Sequence, residues 1–141
     1  MWTQSFSRVY PNISKEQIWA AWADVNNWPQ WDKGLDYCDM KDSFTEGTKF
    51  ILKPKGGPKV KIFISKIIPY QEFSDYCQFP GAKMCVEHFL EETPEGLKIT
   101  NKITVIGPLS FLWVKLVARK VAEGVPENTD FLVRYARTLH A

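Results

Sequence analysis

From residue 35 to residue 106 apolar and polar side chains alternate almost without interruption, the period of a half-buried strand. Turn residues cut this stretch into six predicted strands, 35–41, 48–54, 59–68, 72–79, 83–92 and 97–106. The cuts fall at Glu46-Gly47, Gly56-Gly57-Pro58, Pro69-Tyr70, Pro80-Gly81 and Thr93-Pro94-Glu95-Gly96. Links this short predict antiparallel neighbours in a meander. Residues 2–10 alternate more loosely and read as a first strand that ends at Pro11. Ser14 with Gln17 forms a capping box for a short helix from Lys15 to Ala23. Asp24 suits the cap of a second helical turn through Asn27, and Pro29 its end. After Gly107-Pro108 the period changes to that of a helix, with Leu109, Leu112, Trp113, Leu116 and Val117 recurring. Gly124-Val125-Pro126 predicts an interruption or kink, and Phe131, Leu132, Tyr135 and Leu139 carry the stripe onward.

The expected fold class is α+β: one strand, two short helices, six strands and a long C-terminal helix. A sheet with one apolar face needs a cover, and only the last helix is long enough to supply it. A strongly bent sheet gripping that helix leaves space between them. All 141 residues read as one domain.

Two polar side chains break the inward face. In Met84 to Glu91, alternation sets Glu87 and Glu91 against Met84, Val86, His88 and Leu90. The face without glutamates is the buried one, so His88 points inward, where an unpaired polar ring is costly. In the last strand Leu97, Ile99, Asn101, Ile103 and Val105 share a face, so Asn101 points inward too. On residues 72–79 the more apolar face carries Phe73, Asp75, Cys77 and Phe79. A two-residue Pro80-Gly81 turn sets Phe73 opposite His88 with Asp75 diagonal to it; a four-residue loop sets Asp75 opposite His88. In the next hairpin His88 opposes Asn101. The expectation is a polar line Asp75–His88–Asn101 across the concave face. Three readings of it stay open: a satisfied structural network, a ligand anchor, or a proton-transfer pair.

Composition narrows the function classes. The charge is +2, from 18 basic and 16 acidic residues, without the clustered basic face of a nucleic-acid binder. Lys53, Lys55, Lys59 and Lys61 bracket the Gly-Gly turn and read as a solvated hairpin tip. Cys38, Cys77 and Cys85 show no metal-type spacing, and Cys77 facing in with Cys85 facing out argues against a disulfide between them. With no leader-like start and no apolar run that spans a bilayer, a reduced, cytoplasmic protein is expected. His88 and His140 are too few and too scattered for a metal site, and no phosphate loop or nucleophile elbow occurs, so no metal and no cofactor is expected.

The aromatic content of 14%, with six Trp, suits the lining of a pocket as well as a core. Trp28 and Trp31 are one helical turn apart: either one of them closes the core at the sheet's end, or Trp31 guards the cavity mouth. Tyr37, Phe50, Leu52, Ile62 and Ile64 are expected inward on the other strands, and Leu112 and Leu116 should close the cavity from above. Phe111, Leu112, Trp113 and Val114 are apolar around more than one helix face and are followed by Lys115, Arg119 and Lys120. That surface suits a lid, a homodimer contact or a weak touch on a membrane surface; the alternative is simple packing beside a solvated basic face.

These residues carry a resemblance. Ile18-Trp19, Trp28-Pro29-Gln30-Trp31-Asp32, Glu46-Gly47-Thr48, Pro80-Gly81-Ala82, His88, Thr93-Pro94-Glu95-Gly96 and Gly107-Pro108-Leu109 occur in the order and spacing of the START-like superfamily. That superfamily includes the birch-pollen allergen fold, and within it the chain looks most like the bacterial polyketide cyclase/dehydrase and lipid-transport group known as SRPBCC. The resemblance implies a helix-grip fold, a seven-stranded antiparallel sheet wrapped around the last helix. It also implies an internal cavity for a small hydrophobic or amphipathic molecule, such as a lipid, a hormone or a polyketide. Some members cyclise or dehydrate their ligand, but no catalytic motif carries over, so fold is better supported than reaction. The expected ligand-binding residues are Trp31, Tyr37, Phe50, Ile62, Phe73, Asp75, His88, Leu90, Asn101, Ile103, Leu112 and Leu116. The expected function is ligand binding; the alternatives are a cyclase or dehydratase using Asp75 and His88, and a protein-interaction module at Phe111–Val114.

Overall fold

Strand periodicity becomes strand at every predicted segment in a computed structural model that describes residues 1–140. The strands are β1 (Trp2–Tyr10), β2 (Leu35–Asp39), β3 (Lys49–Pro54), β4 (Val60–Ile68), β5 (Glu72–Phe79), β6 (Ala82–Thr93) and β7 (Gly96–Ile106). They form one seven-stranded sheet in the order β1-β7-β6-β5-β4-β3-β2. Every neighbouring pair is antiparallel, so β2 to β7 form the meander and β1 closes onto β7.

Helix α1 (Lys15–Ala23) starts at the capping box: the Gln17 N–H donates to Ser14 Oγ at 3.1 Å and the Ser14 N–H to Gln17 Oε1 at 3.0 Å. Val25–Gln30 follows as a 3-10 segment. Asp24 does not cap it through a backbone N–H; its carboxylate instead accepts from Asn27 Nδ2 at 2.7 Å. The C-terminal helix begins with α2 (Ser110–Trp113), widens into a π turn over Val114–Ala118 and continues as α3 (Arg119–Ala136). Gly124-Val125-Pro126 does not interrupt it; Pro126 lies inside α3. The packed side is Val114, Ala118, Ala122, Thr129, Leu132, Val133 and Ala136, a row that the stripe of Phe131, Tyr135 and Leu139 runs beside.

This register of the long helix overturns part of the expected cavity roof. Leu112 and Leu116 are exposed, Leu116 at 58%, because the π turn points Val114 and Ala118 at the sheet instead. Val114 is accordingly buried, so the exposed apolar surface of this segment is Phe111, Leu112 and Leu116 and not Phe111–Val114 as a block. Trp113 is half-buried, its ring stacked on Phe79 at 4.4 Å. Tyr37 is also outward, at 39% exposure. A bulge between Leu35 and Tyr37 shifts the register of β2, so Leu35 and Cys38 face the core.

The core centres on Phe73. Its ring meets Trp22 at 5.0 Å, Phe44 at 5.2 Å, Trp28 at 6.3 Å and Trp19 at 6.4 Å, several of these edge to face. Full burial of a side chain this size contributes about 1.5–3 kcal/mol, and aromatic contacts add to it. The first helix is thereby fixed on the concave face, over the start of β5.

The other clasp is polar. Asp130 on α3 accepts from Arg8 Nη1 at 2.8 Å and from the Tyr10 hydroxyl, tying the long helix to β1. The Tyr10 hydrogen bond, with Arg8 beside it, holds the Asp130 carboxyl below the usual carboxylate range. Burial, helped by Asp130, pushes Tyr10 up to about 12. A lowered carboxyl stabilises the fold above its ordinary value of 3.8 and loses that contribution as pH falls through the folded value. A raised phenol stabilises below its ordinary value of 10.0 and loses the contribution as pH rises toward 12. Asp130→Asn is expected to lower stability at neutral pH by less than about 1 kcal/mol, since the clasp is half exposed. Urea unfolding of both proteins at pH 7 and pH 3 checks this: the difference should shrink in acid, and a constant difference would contradict it.

Candidate functional site

Strand register brings the polar line together. Phe79 pairs with Ala82 across a two-residue Pro80-Gly81 turn, with Gly81 at a φ of 74°. That register sets Phe73 opposite His88 and Asp75 opposite Val86, diagonal to His88. On the other side of β6, His88 pairs with Asn101. The His88 ring stacks on Phe73 at 4.0 Å and 11°, and Trp22 lies 5.6 Å away. The side chains of His88 and Asp75 are 16% and 10% exposed, so both sit inside the fold.

The hydrogen bonds fix the imidazole proton. Thr129 on α3 donates its hydroxyl hydrogen to the Val125 carbonyl at 2.7 Å. Its oxygen is then free only to accept, which it does from Asn101 Nδ2 at 3.4 Å. That orients the amide so that Asn101 Oδ1 faces His88 Nδ1 at 2.7 Å. An amide oxygen has no proton to give, so Nδ1 carries one and donates. Nε2 faces Asp75 Oδ2 at 3.4 Å. A neutral ring with its proton on Nδ1 turns a lone pair toward that carboxylate. The approach is attractive only when a proton lies between Nε2 and Asp75, on either partner, or when a bound donor bridges them. The amide closes the line at Nδ1, and at its other end Nε2 and the Asp75 carboxylate face each other.

Apolar side chains surround this line. Phe50, Ile62, Ile64, Leu90 and Ile103 are all buried on the inward face, as is Phe73 itself. Trp31 is buried against Trp28 at 6.0 Å, and its Nε1 has no hydrogen-bond partner. Tyr37, Leu112 and Leu116, exposed elsewhere on the surface, do not join the set. Cys77 lies inward and burial pushes its thiol up to about 12, which leaves it unreactive. Beside Asn101, a niche bounded by Phe6, Ile103, Ala122 and Val125 has a volume of about 10 Å³, room for one water. The large rings of Trp22, Trp28, Phe44 and Phe73 occupy the rest of the neighbourhood.

Two contributors escaped sequence reasoning. Thr129 shares a helical face with Leu132, Val133 and Ala136, the same signal of one polar residue on an apolar row that singled out His88. The stripe of Phe131, Leu132, Tyr135 and Leu139 meets this row only at Leu132, so it does not point to Thr129. Trp22 on α1 is the other, and nothing in the sequence says that its side of the helix meets His88.

Coupling within the line is measurable. Asn101→Leu leaves the Nδ1–H of His88 buried without an acceptor and should cost about 1–3 kcal/mol. His88→Leu in the same background should restore part of that loss, with an interaction energy of at least about 0.5 kcal/mol in a double-mutant cycle read by urea unfolding. Additive losses would contradict the network.

Known proteins share the fold at low sequence identity. A Helicobacter pylori protein, jhp0584, superposes with a TM-score of 0.77 at 14% identity, over 96% of this chain and 88% of its own. Ara h 8.0201 matches with a TM-score of 0.72 at 13% identity, over 98% of this chain and 100% of its own. DynU16, from the dynemicin biosynthetic locus, matches with a TM-score of 0.70 at 17% identity, over 96% of this chain and 47% of its own. No family model and no curated protein matches the sequence. What the structural matches share with this chain is its architecture, a helix-grip α+β fold with a seven-stranded antiparallel sheet and a long C-terminal helix.

Proposed function

We propose that the protein binds a small hydrophobic or amphipathic molecule between the concave face of the sheet and the long helix, with its one polar group held at His88 and Asn101. The observation that carries this reading is the polar line itself, Asp75, His88, Asn101 and Thr129 in series on an otherwise apolar face. Desolvating four polar side chains there carries a cost that purely apolar packing would avoid. The described conformation is contracted around that line, so a guest enters by spreading the helix from the sheet. The π turn at Val114–Ala118 and the glycine and proline of α3 are the weak points where the helix can yield.

A second reading is proton transfer, a cyclisation or dehydration assisted by Asp75 and His88. It draws on the approach of His88 Nε2 to the Asp75 carboxylate at 3.4 Å and on the fold that this chain has in common with DynU16. A cytoplasmic setting suits both readings, since Cys77 and Cys85 lie on opposite faces of the sheet and cannot pair. Among the described residues no helix is long and apolar enough to cross a membrane. Exposed Phe111, Leu112 and Leu116 beside Lys115, Arg119 and Lys120 support a weak contact with an anionic membrane surface at the start of the helix. The same apolar trio also suits a homodimer contact.

Calorimetric titration with oleate and with 2-naphthol tests the binding reading. At least one should bind, and His88→Ala should weaken it about five- to tenfold, the loss of one hydrogen bond. Absence of binding by both, or an affinity indifferent to His88→Ala, would contradict it. Turnover of an aromatic poly-β-ketone that disappears in both His88→Ala and Asp75→Asn would decide for the second reading.

A further inference from the structure

Strands β4 and β5 separate at one end. Their ladder runs from Ile68 opposite Glu72 to Phe63 opposite Tyr76 and stops there. Val60, Lys61 and Ile62 remain paired with β3, while Cys77, Gln78 and Phe79 remain paired with β6. The sheet is thus split between its two halves, and the split holds a cleft of about 400 Å³. That volume lies in the range of small-molecule sites.

The walls of the cleft are aromatic and fixed. Phe79 and Trp113 stack at 4.4 Å and 9°, which makes a flat ledge along one side, and Val60 and Phe63 line the other. Trp113 Nε1 donates to the Pro80 carbonyl at 2.8 Å, and the Leu109 N–H donates to the Gly81 carbonyl at 2.9 Å. These bonds pin the start of the helix to the β5–β6 turn. Gly107 permits the approach, since a Cβ there would meet the Gly81 oxygen at 2.5 Å. The ledge is therefore part of the frame and does not depend on loop flexibility.

The rim is positive. Lys59 and Lys61 line the cleft and are exposed, and among the described residues neither has a carboxylate partner. No acidic residue lines the cleft. Lys83 sits 4.0 Å over the ring of Tyr76, which stacks on Phe63 and adds a further cation nearby. Two unpaired ammonium groups beside a partly buried aromatic ledge select for an anion carried on a flat apolar body.

We infer that the split between β4 and β5 is a binding site for a flat aromatic molecule bearing one anionic group. The ring system lies against Phe79 and Trp113, and the anion lies between Lys59 and Lys61. This site is separate from the His88 line and stands whether or not a ligand binds there.

The test uses the fluorescent sulfonate 1-anilinonaphthalene-8-sulfonate and its uncharged counterpart N-phenyl-1-naphthylamine, titrated by emission. Replacing both lysines, Lys59→Ala with Lys61→Ala, changes only exposed side chains and leaves the fold intact. The Kd of the sulfonate should rise about tenfold, the worth of two partly screened ion pairs, while that of the neutral probe stays within twofold. A sulfonate Kd within twofold of wild type in the double variant overturns the inference. So does a loss caused by His88→Ala in its place, which would put the probe on the concave face.

Discussion

One imidazole ring lies flat on Phe73 with a partner at each nitrogen, and the rest of the inner face is arranged around it. Its position is dictated by register. The tight turn at Pro80-Gly81 sets β5 against β6, and the β6–β7 hairpin sets His88 against Asn101. A slip of one residue in either hairpin would turn every inward side chain of a strand toward solvent. The apolar burial that fixes those registers therefore also fixes the polar line. The long helix completes it through Thr129, whose hydroxyl is committed to its own backbone at Val125.

The same packing explains why the interior is contracted. Trp22 from α1 and Phe73 from β5 flank the imidazole, and Phe44 and Trp28 close on Phe73 from two sides. Stacking covers the ring faces and Asn101 meets the ring edge at Nδ1, so His88 is positioned before any guest arrives. The clasp of Arg8 and Tyr10 on Asp130 holds the far end of the helix to β1. The near end is held by Trp113 on the β5–β6 turn. Between the two clasps lie the π turn and the proline, where helical hydrogen bonding is weakest. A helix anchored at both ends and soft in its middle can bow away from the sheet without leaving it.

Most of the fold was legible because strand alternation and turn residues are local signals. All seven strands, the capping box and the face of His88, Asn101 and Asp75 could be read from neighbouring residues alone. What was not legible depends on departures from regular geometry. The bulge in β2 moved Tyr37 outward, and nothing in Leu35 to Asp39 announces it. The π turn moved Leu112 and Leu116 outward, because one wide turn rotates every residue before it relative to those after it. The hollow expected under the helix required knowing how far large rings reach across a sheet, which spacing along the chain does not encode. The split between β4 and β5 was equally silent: both segments alternate cleanly through residues that never pair.

The most direct measurement is long-range 15N–1H correlation NMR of the His88 ring in the unliganded protein. The hydrogen-bond series from Val125 through Thr129 and Asn101 requires a proton on Nδ1, protected from exchange by the Asn101 oxygen. The expected result is an Nδ1 resonance of the protonated type that Asn101→Leu abolishes or shifts. A neutral ring with its proton on Nε2 and a bare Nδ1 would contradict it.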